Sequence, residues 1–522
     1  MRIVHGIVER VIEEHAGLQR LLVSCPCDSE QGATEADGGE AARFLGAQTV
    51  LVPRAQDGAH CGTAPEELHG LPPASPASGR DPVGGGRPVA GTNLRRVISY
   101  PALTGAVRPG DRVAINTTAV DLALGTGGWD IVTCVEPADG RDAQPQGTSS
   151  LPDNEPAGEG LGRIMKLRYA PCQVNVCCVE EQGASLHEAL RDATDCHGLP
   201  VACCELHSQA MAVAAAAHAT DPSLRIAYIM TDEAALMLPL SDVCRSALGA
   251  GVLATTITCG QASGGEHEAV SLHSALLAAD ALGCDAAVVS MGPGIVGTGT
   301  AFGHGGVAQG EAVNACAAVS ARAIAPLRVS FADARPRHRG LSHHSAVALG
   351  RVALAPAIIP VPAPLVAEGA PDAPAPAGAA TLLERQLVEA GIPARHELVD
   401  VPLAPGAEAA DALLGGLHIT TMGRTPEQDP AFFRCAAAAG VVLAAEAAAR
   451  LASSIVPAPI ASQAATSAPT APQVVAPAVS SAVAFVPPSQ GTSPETSAPP
   501  AGRGASLGQG ELLAPGEGAS HA

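Results

Sequence analysis

From residue 162 to about 360 the sequence alternates short apolar runs with helical stretches, and this alternation constrains the fold more than any other feature. The strand candidates are 173–179, 199–204, 224–230, 252–258, 285–291 and 327–331. Between them lie SLHEALRDA, which opens with a Ser185-x-x-Glu188 capping box, and GEHEAVSLHSALLAADALG, which carries Glu266, His267 and Glu268 at its start and ends at a glycine. Continuous apolar runs separated by helices predict an α/β fold, a Rossmann-like, mostly parallel sheet with helices on both faces.

The flanking sequence has other rhythms. Residues 1–140 predict a small β-rich, barrel-like domain, with RIVHGIVERVIEE and LQRLLVS as paired strands and RRVISYPALTGAVRPGDRVAIN as a hairpin turning at Pro109-Gly110-Asp111. Residues 25–92 lack periodicity and predict a flexible insertion; its Cys25-x-Cys27 and His60-Cys61 have zinc-knuckle residue types without the standard spacing. A polar stretch, 137–160, separates the barrel from the α/β domain of 162–360. A linker at 361–378 leads to an α/β segment, 380–450, that completes the sheet with a helix at 382–390, strands near 396–401 and 418–422, and a helix opened by Asp429-Pro430. The Pro/Ala-rich stretch 451–522 predicts a disordered tail.

A net charge of −21 over 522 residues argues against nucleic-acid or anionic-membrane binding. No signal peptide pattern and no uninterrupted apolar stretch of spanning length is visible, which predicts a cytoplasmic protein. Fifteen cysteines without a CxxC, several in strand-like runs, fit reduced core residues better than a disulfide framework. Lys166 is the only lysine among 30 basic residues, which marks either a place where a compact ammonium matters or a chance survivor on the surface.

In open parallel sheets ligands bind beyond the carboxyl ends of strands. The run 285–291 ends in MGPGIVGTGT, where Gly292, Gly294, Gly297 and Gly299 alternate with Thr298 and Thr300; such a loop is expected to expose amides to an anion. It is neither a Walker loop nor a clean G-x-G-x-x-G, so NAD is not the expected cofactor. Other polar strand exits hold Asp232, Cys259 with Gln261, and Arg424. Cys259 reads as a buried core thiol and Gln261 as ligand-facing. Between Arg322 and His344 five arginines stand against the single acid Asp333, a basic island that is either a solvated surface or a pocket whose Arg335 and Arg339 face the glycine loop and pair with a phosphate or carboxylate. Asp333, His338, His343 and His344 admit a divalent metal, although adjacent histidines on a helix diverge by about 100°.

The motifs GRIMKLRY, CELHSQ, YIMTD, TCGQASGG, MGPGIVGTGT, SFADARPRHRGLSHH and TMGRTPEQDPAFF, with the earlier ALTGAVRPGDRVAINTTAVDLALGTGG, resemble an uncharacterised bacterial, mainly actinobacterial, family, domain of unknown function 3866. The resemblance covers 1–24 and 93–450 and implies no activity. The residues themselves lead to an expected enzyme that takes a small anionic metabolite or nucleotide-like ligand, with Lys166, Asp232, Glu268, His304 and His343 as acid–base or electrostatic candidates. A non-catalytic sensor or protein-interaction scaffold is the alternative, and homo-oligomers are compatible with either.

Overall fold

The computed structural model describes residues 2–15, 17–26, 92–122, 128–141, 162–170, 172–365, 378–403 and 416–455. The insertion beyond Pro26, with Cys27, His60 and Cys61, lies outside the described residues, as do most of 137–160 and the chain beyond Ile455.

Strands β1 (Ile3–His15), β2 (Leu18–Pro26), β3 (Thr92–Ser99), β4 (Arg112–Asn116) and β5 (Asp130–Glu136) close into a barrel of order β1-β2-β3-β5-β4. Alternating apolar residues, among them Val8, Leu21, Val23, Val97, Val113, Ile115 and Val132, fill its interior. β1 and β2 pair as expected, but β3 and β4 form no hairpin. Short helices α1 (Pro101–Thr104) and α2 (Thr118–Asp121) follow those two strands, and β5 inserts between them, parallel to β3. Arg20 of β2 donates to both carboxylate oxygens of Asp242 at 2.7–2.8 Å, tying the barrel to the α/β part.

Next come a hairpin of β6 (Ile164–Lys166) and β7 (Val174–Val176) and the short helix α3 (His187–Leu190). The sheet and its crossovers then run β8 (Pro200–Cys203), α4 (His207–Thr220), β9 (Ile226–Thr231), α5 (Asp242–Gly249), β10 (Thr255–Thr258), β11 (His267–Glu268), α6 (Leu272–Ala281), β12 (Ala286–Met291), α7 (Val307–Ala318) and β13 (Arg322–Ile324). An antiparallel pair, β14 (Val329–Ser330) with β15 (Gly340–Leu341), precedes α8 (His343–Val347). The chain ends its described part with β16 (Ile358–Ala363), α9 (Ala379–Glu389), β17 (Glu397–Pro402) and α10 (Pro430–Ile455). The eight strands of order β11-β10-β9-β12-β8-β13-β16-β17 are all parallel. β9 and β12 are buried at every position because helices cover both faces. Tyr228, Met230 and Val288 face α4, α5 and α10, while Val201, Ile229 and Val289 face α6, α7 and α9.

Several local expectations are corrected. Of residues 173–179 only Val174–Val176 form a strand, β7 of the hairpin, while Cys178 bridges Glu268 of the sheet's edge strand in parallel; 327–331 supply β14 outside the main sheet, whose place is taken by the three-residue β13. Glu266 to Glu268 do not start a helix: His267–Glu268 is the edge strand, and α6 begins after Ser271, whose hydroxyl accepts from Ser274 N at 3.2 Å. The Ser185 capping box is absent, since α3 starts after Leu186 without a side-chain cap. Residues 418–422 form a turn bridged from Thr421 to Arg424. The first residues of the expected linker belong to β16. Pro360 and Pro362 fit there because their nitrogens point toward β13, which pairs with β16 only at Ile358.

Residues Pro430–Ser453 of α10 are long and apolar enough to cross a membrane, with mean hydropathy 1.6, and 72% of that span is buried in the fold. Its alanines lie against the equally Ala-rich α4. At the crossing, a Cβ on Gly440 would stand 2.5 Å from Ala216 Cβ and 2.6 Å from Val213 O. Gly440→Ala is therefore expected to destabilise the protein by about 1–3 kcal/mol through overpacking. Gly249→Ala, with no atom within 4 Å of the added methyl, is the control and should be neutral or slightly stabilising. Equal denaturant midpoints for the two variants would contradict this close crossing.

Candidate functional site

β8 and β12 are adjacent and parallel, but the chain leaves β8 for α4 on one face of the sheet and leaves β12 for α7 on the other. In open parallel sheets, connections that diverge to opposite faces mark the switch point at which ligands bind beyond the strand ends. Glu205 follows β8 there, the glycine-rich loop follows β12, and the start of α8 brings in His343 and His344.

The glycine loop is folded on itself more than its sequence suggests. Gly297 bridges His304, Thr298 N donates to Gly303 O at 2.9 Å, Gly303 N to Thr300 Oγ1 at 3.1 Å, and Gly305 N to Val296 O at 2.9 Å. These amides serve the turn and are not offered to a ligand. Gly294 (φ 98°) and Gly299 (φ 78°) supply left-handed backbone. Gly292 allows Ala235 O to approach, and a Cβ on Gly297 would come within 3.3 Å of His344 Nε2.

Four imidazoles gather beneath this loop. His304 and His344 stack with centroids 3.9 Å apart, His343 lies 4.3 Å from His344, and His338 is 4.9–5.0 Å from both His343 and His344. One ligand atom each from His304, His343 and His344 can be chosen so that all lie within 4.8 Å of one another. His304 Nε2 donates to Ala301 O at 3.0 Å, leaving Nδ1 buried without a partner. His344 Nδ1 lies 3.0 Å from Glu205 Oε1 and 3.4 Å from Arg328 Nη1; the shorter contact with the carboxylate makes Nδ1 the protonated nitrogen and leaves Nε2 toward the loop. Among the described residues neither ring nitrogen of His343 has a hydrogen-bond partner, although the Arg337 backbone favours its protonated form slightly.

Burial, followed by the charges of Arg328 and Arg335, lowers His338 to about 3; burial, followed by His344, His304 and Arg337, lowers His343 to about 4. Burial and His344 also lower His304. Glu205 is fully buried and accepts from Arg328 at 2.7 Å and Ser345 at 2.8 Å. Burial alone would raise its carboxyl, but the Arg328 charge and the bond from His344 hold it at about 2. Glu205, Arg328 and Ser345 were not singled out from sequence.

Other candidates fall elsewhere. Lys166 and Glu268 pair with each other at 2.6 Å in the interior, the ammonium also donating to Thr258 O and Ala262 O. Gln261 Oε1 accepts from Leu167 N and so clamps the β6 hairpin. Asp232 lines a cleft of about 230 Å³ with Glu233, Glu311 and His273. Cys259 is buried, which pushes its thiol up to about 12.

The basic island is largely neutralised. Arg335 donates to both oxygens of Asp333, Arg424 binds Asp429 at 2.9 Å and lies 3.6 Å from Asp333, and Arg322 pairs with Glu446. Asp333 is thereby withdrawn from any metal, and Arg339 is exposed with its carbonyl held by Gln386. Only the histidine end of the island meets the glycine loop.

Residues 96–440 match a family model described as a protein of unknown function, DUF3866. No curated protein and no solved structure matches the chain.

Proposed function

This chain belongs to the DUF3866 family, and we propose that it is an enzyme that binds a small phosphate- or carboxylate-bearing metabolite in the crevice between the ends of β8 and β12. The observation that carries this reading is the buried Glu205–Arg328–His344 network at the switch point. Burying two charged groups gives little stability in return for their desolvation, so such a network at a ligand crevice is better explained by holding His344 in one tautomer and orientation. Anion preference is supported by Arg337, exposed beside His343, whose charge adds to burial and the neighbouring imidazoles in lowering that histidine.

The test is a thermal-shift screen of the full chain against sugar phosphates, nucleotides and small di- and tricarboxylates. A ligand present at about 100 times its Kd should add about 2.7 kcal/mol of stability. Incubation of each stabilising compound, with plausible co-substrates and metals, is then followed by mass spectrometry, and turnover is the expected result. A compound that stabilises the fold and returns unchanged marks a sensor, and failure of every anion to stabilise it removes the reading altogether.

A further inference from the structure

We infer that His304, His343 and His344 hold one divalent transition-metal ion of the zinc class in this crevice. The three rings come from two separate segments and together offer His304 Nδ1, His344 Nε2 and a nitrogen of His343. A buried imidazole nitrogen without a partner is a cost that a folded protein ordinarily avoids, and here such nitrogens converge. The far nitrogens are arranged as in metal sites: His304 Nε2 donates to the Ala301 carbonyl and His344 Nδ1 to the Glu205 carboxylate, contacts that fix the tautomer of each ring. An all-imidazole set selects zinc and its neighbours over magnesium or calcium, which prefer oxygen. Three protein nitrogens leave a further position for water or for an anionic group of the substrate. The identity of that last ligand rests on the proposed function; the metal itself does not.

The stacked rings impose one condition. With His304 and His344 only 3° from parallel, their in-plane lone pairs cannot meet at one point. Tetrahedral zinc needs ligand nitrogens about 3.4 Å apart, so one of the two rings must turn as the ion binds. His338, whose Nδ1 is engaged with Ser342 Oγ at 3.0 Å, stands outside the group whose ligand atoms converge within 4.8 Å.

The experiment uses full-length protein stripped with a chelator and titrated with zinc or cobalt, bound metal being counted by elemental mass spectrometry. One equivalent is expected, and the cobalt form should show nitrogen-ligand visible bands without thiolate charge transfer, which separates this site from the cysteines. His343→Gln should weaken binding about 100-fold, and Gly297→Ala, which presses on His344 Nε2, about 10-fold. His338→Gln should leave affinity within about 2-fold. Should a variant fail to fold, protection of wild-type histidines from diethyl pyrocarbonate by cobalt supplies the same answer. Binding well below one equivalent, thiolate bands, or unchanged affinity in folded His343→Gln would overturn the inference. Loss of the metal alongside a retained anion-induced thermal shift would leave the proposed function standing, and the reverse pattern would separate the two in the other direction.

Discussion

Replacing Glu205 by Ala is expected to remove about 3–5 kcal/mol of folding free energy, the scale seen when one member of a buried ion pair is deleted. Its carboxylate accepts from Arg328, His344 and Ser345 while fully shielded from solvent. Truncation would leave the Arg328 guanidinium, itself 4% exposed, without this counter-charge. Little can move in to compensate. The segment is packed so closely that a Cβ on Gly306 would already stand 3.0–3.1 Å from His304 Nδ1, Glu205 Cγ and His344 Cβ. Glu205→Gln keeps the shape and one acceptor oxygen, so a smaller loss is expected. Chemical denaturation of the three proteins checks the order wild type, Gln, Ala; an Ala variant within about 1 kcal/mol of wild type would show that Arg328 reaches water or another partner.

The same residue shows how far the sequence could be read. Applying the strand-exit rule to the apolar run 199–204 lands on Glu205, just as it lands on Thr231 and on Gly292 for the runs before them. Arg328 gives a second signal, because an arginine inside the apolar run 327–331 calls for a buried partner. The long central strands were legible because both their faces are covered and their apolar runs are continuous. β13 was not, since three residues carry no period, and their pairing is decided by the neighbouring strands. The false helix start at Glu266 has a long-range cause: Glu268 is drawn into the interior by a lysine 102 positions earlier, and local capping signals cannot report that. The histidine cluster was half visible. His343 and His344 would diverge within an ideal helix, yet their rings meet because they open α8, where no preceding turn directs the side chains. His304 arrives from the far end of the glycine loop, a proximity set by tertiary folding.

Lys166 and Glu268, two of the five residues expected from sequence to be catalytic, are predicted to matter for stability instead. Glu268→Ala should cost about 3–5 kcal/mol, because it strands an ammonium that is 1% exposed and otherwise has only the carbonyls of Thr258 and Ala262. Lys166→Met should cost less. Burial already pushes the Glu268 carboxyl above its ordinary range against the pull of Lys166, so without the lysine it can take up a proton and retain its bonds with Thr258 and Gly264. The double variant Lys166→Met/Glu268→Leu exchanges the pair for apolar groups of similar volume, and such exchanges are often neutral or stabilising. It should therefore recover most of the loss caused by Glu268→Ala, and the coupling is measured by the denaturant midpoints of wild type, Lys166→Met, Glu268→Leu and the double variant. The same set separates structure from chemistry. If either group takes part in the reaction, the double variant will be stable but inert on whatever substrate the anion screen yields. If the pair only fastens the β6 hairpin to β10 and β11, turnover will survive its replacement.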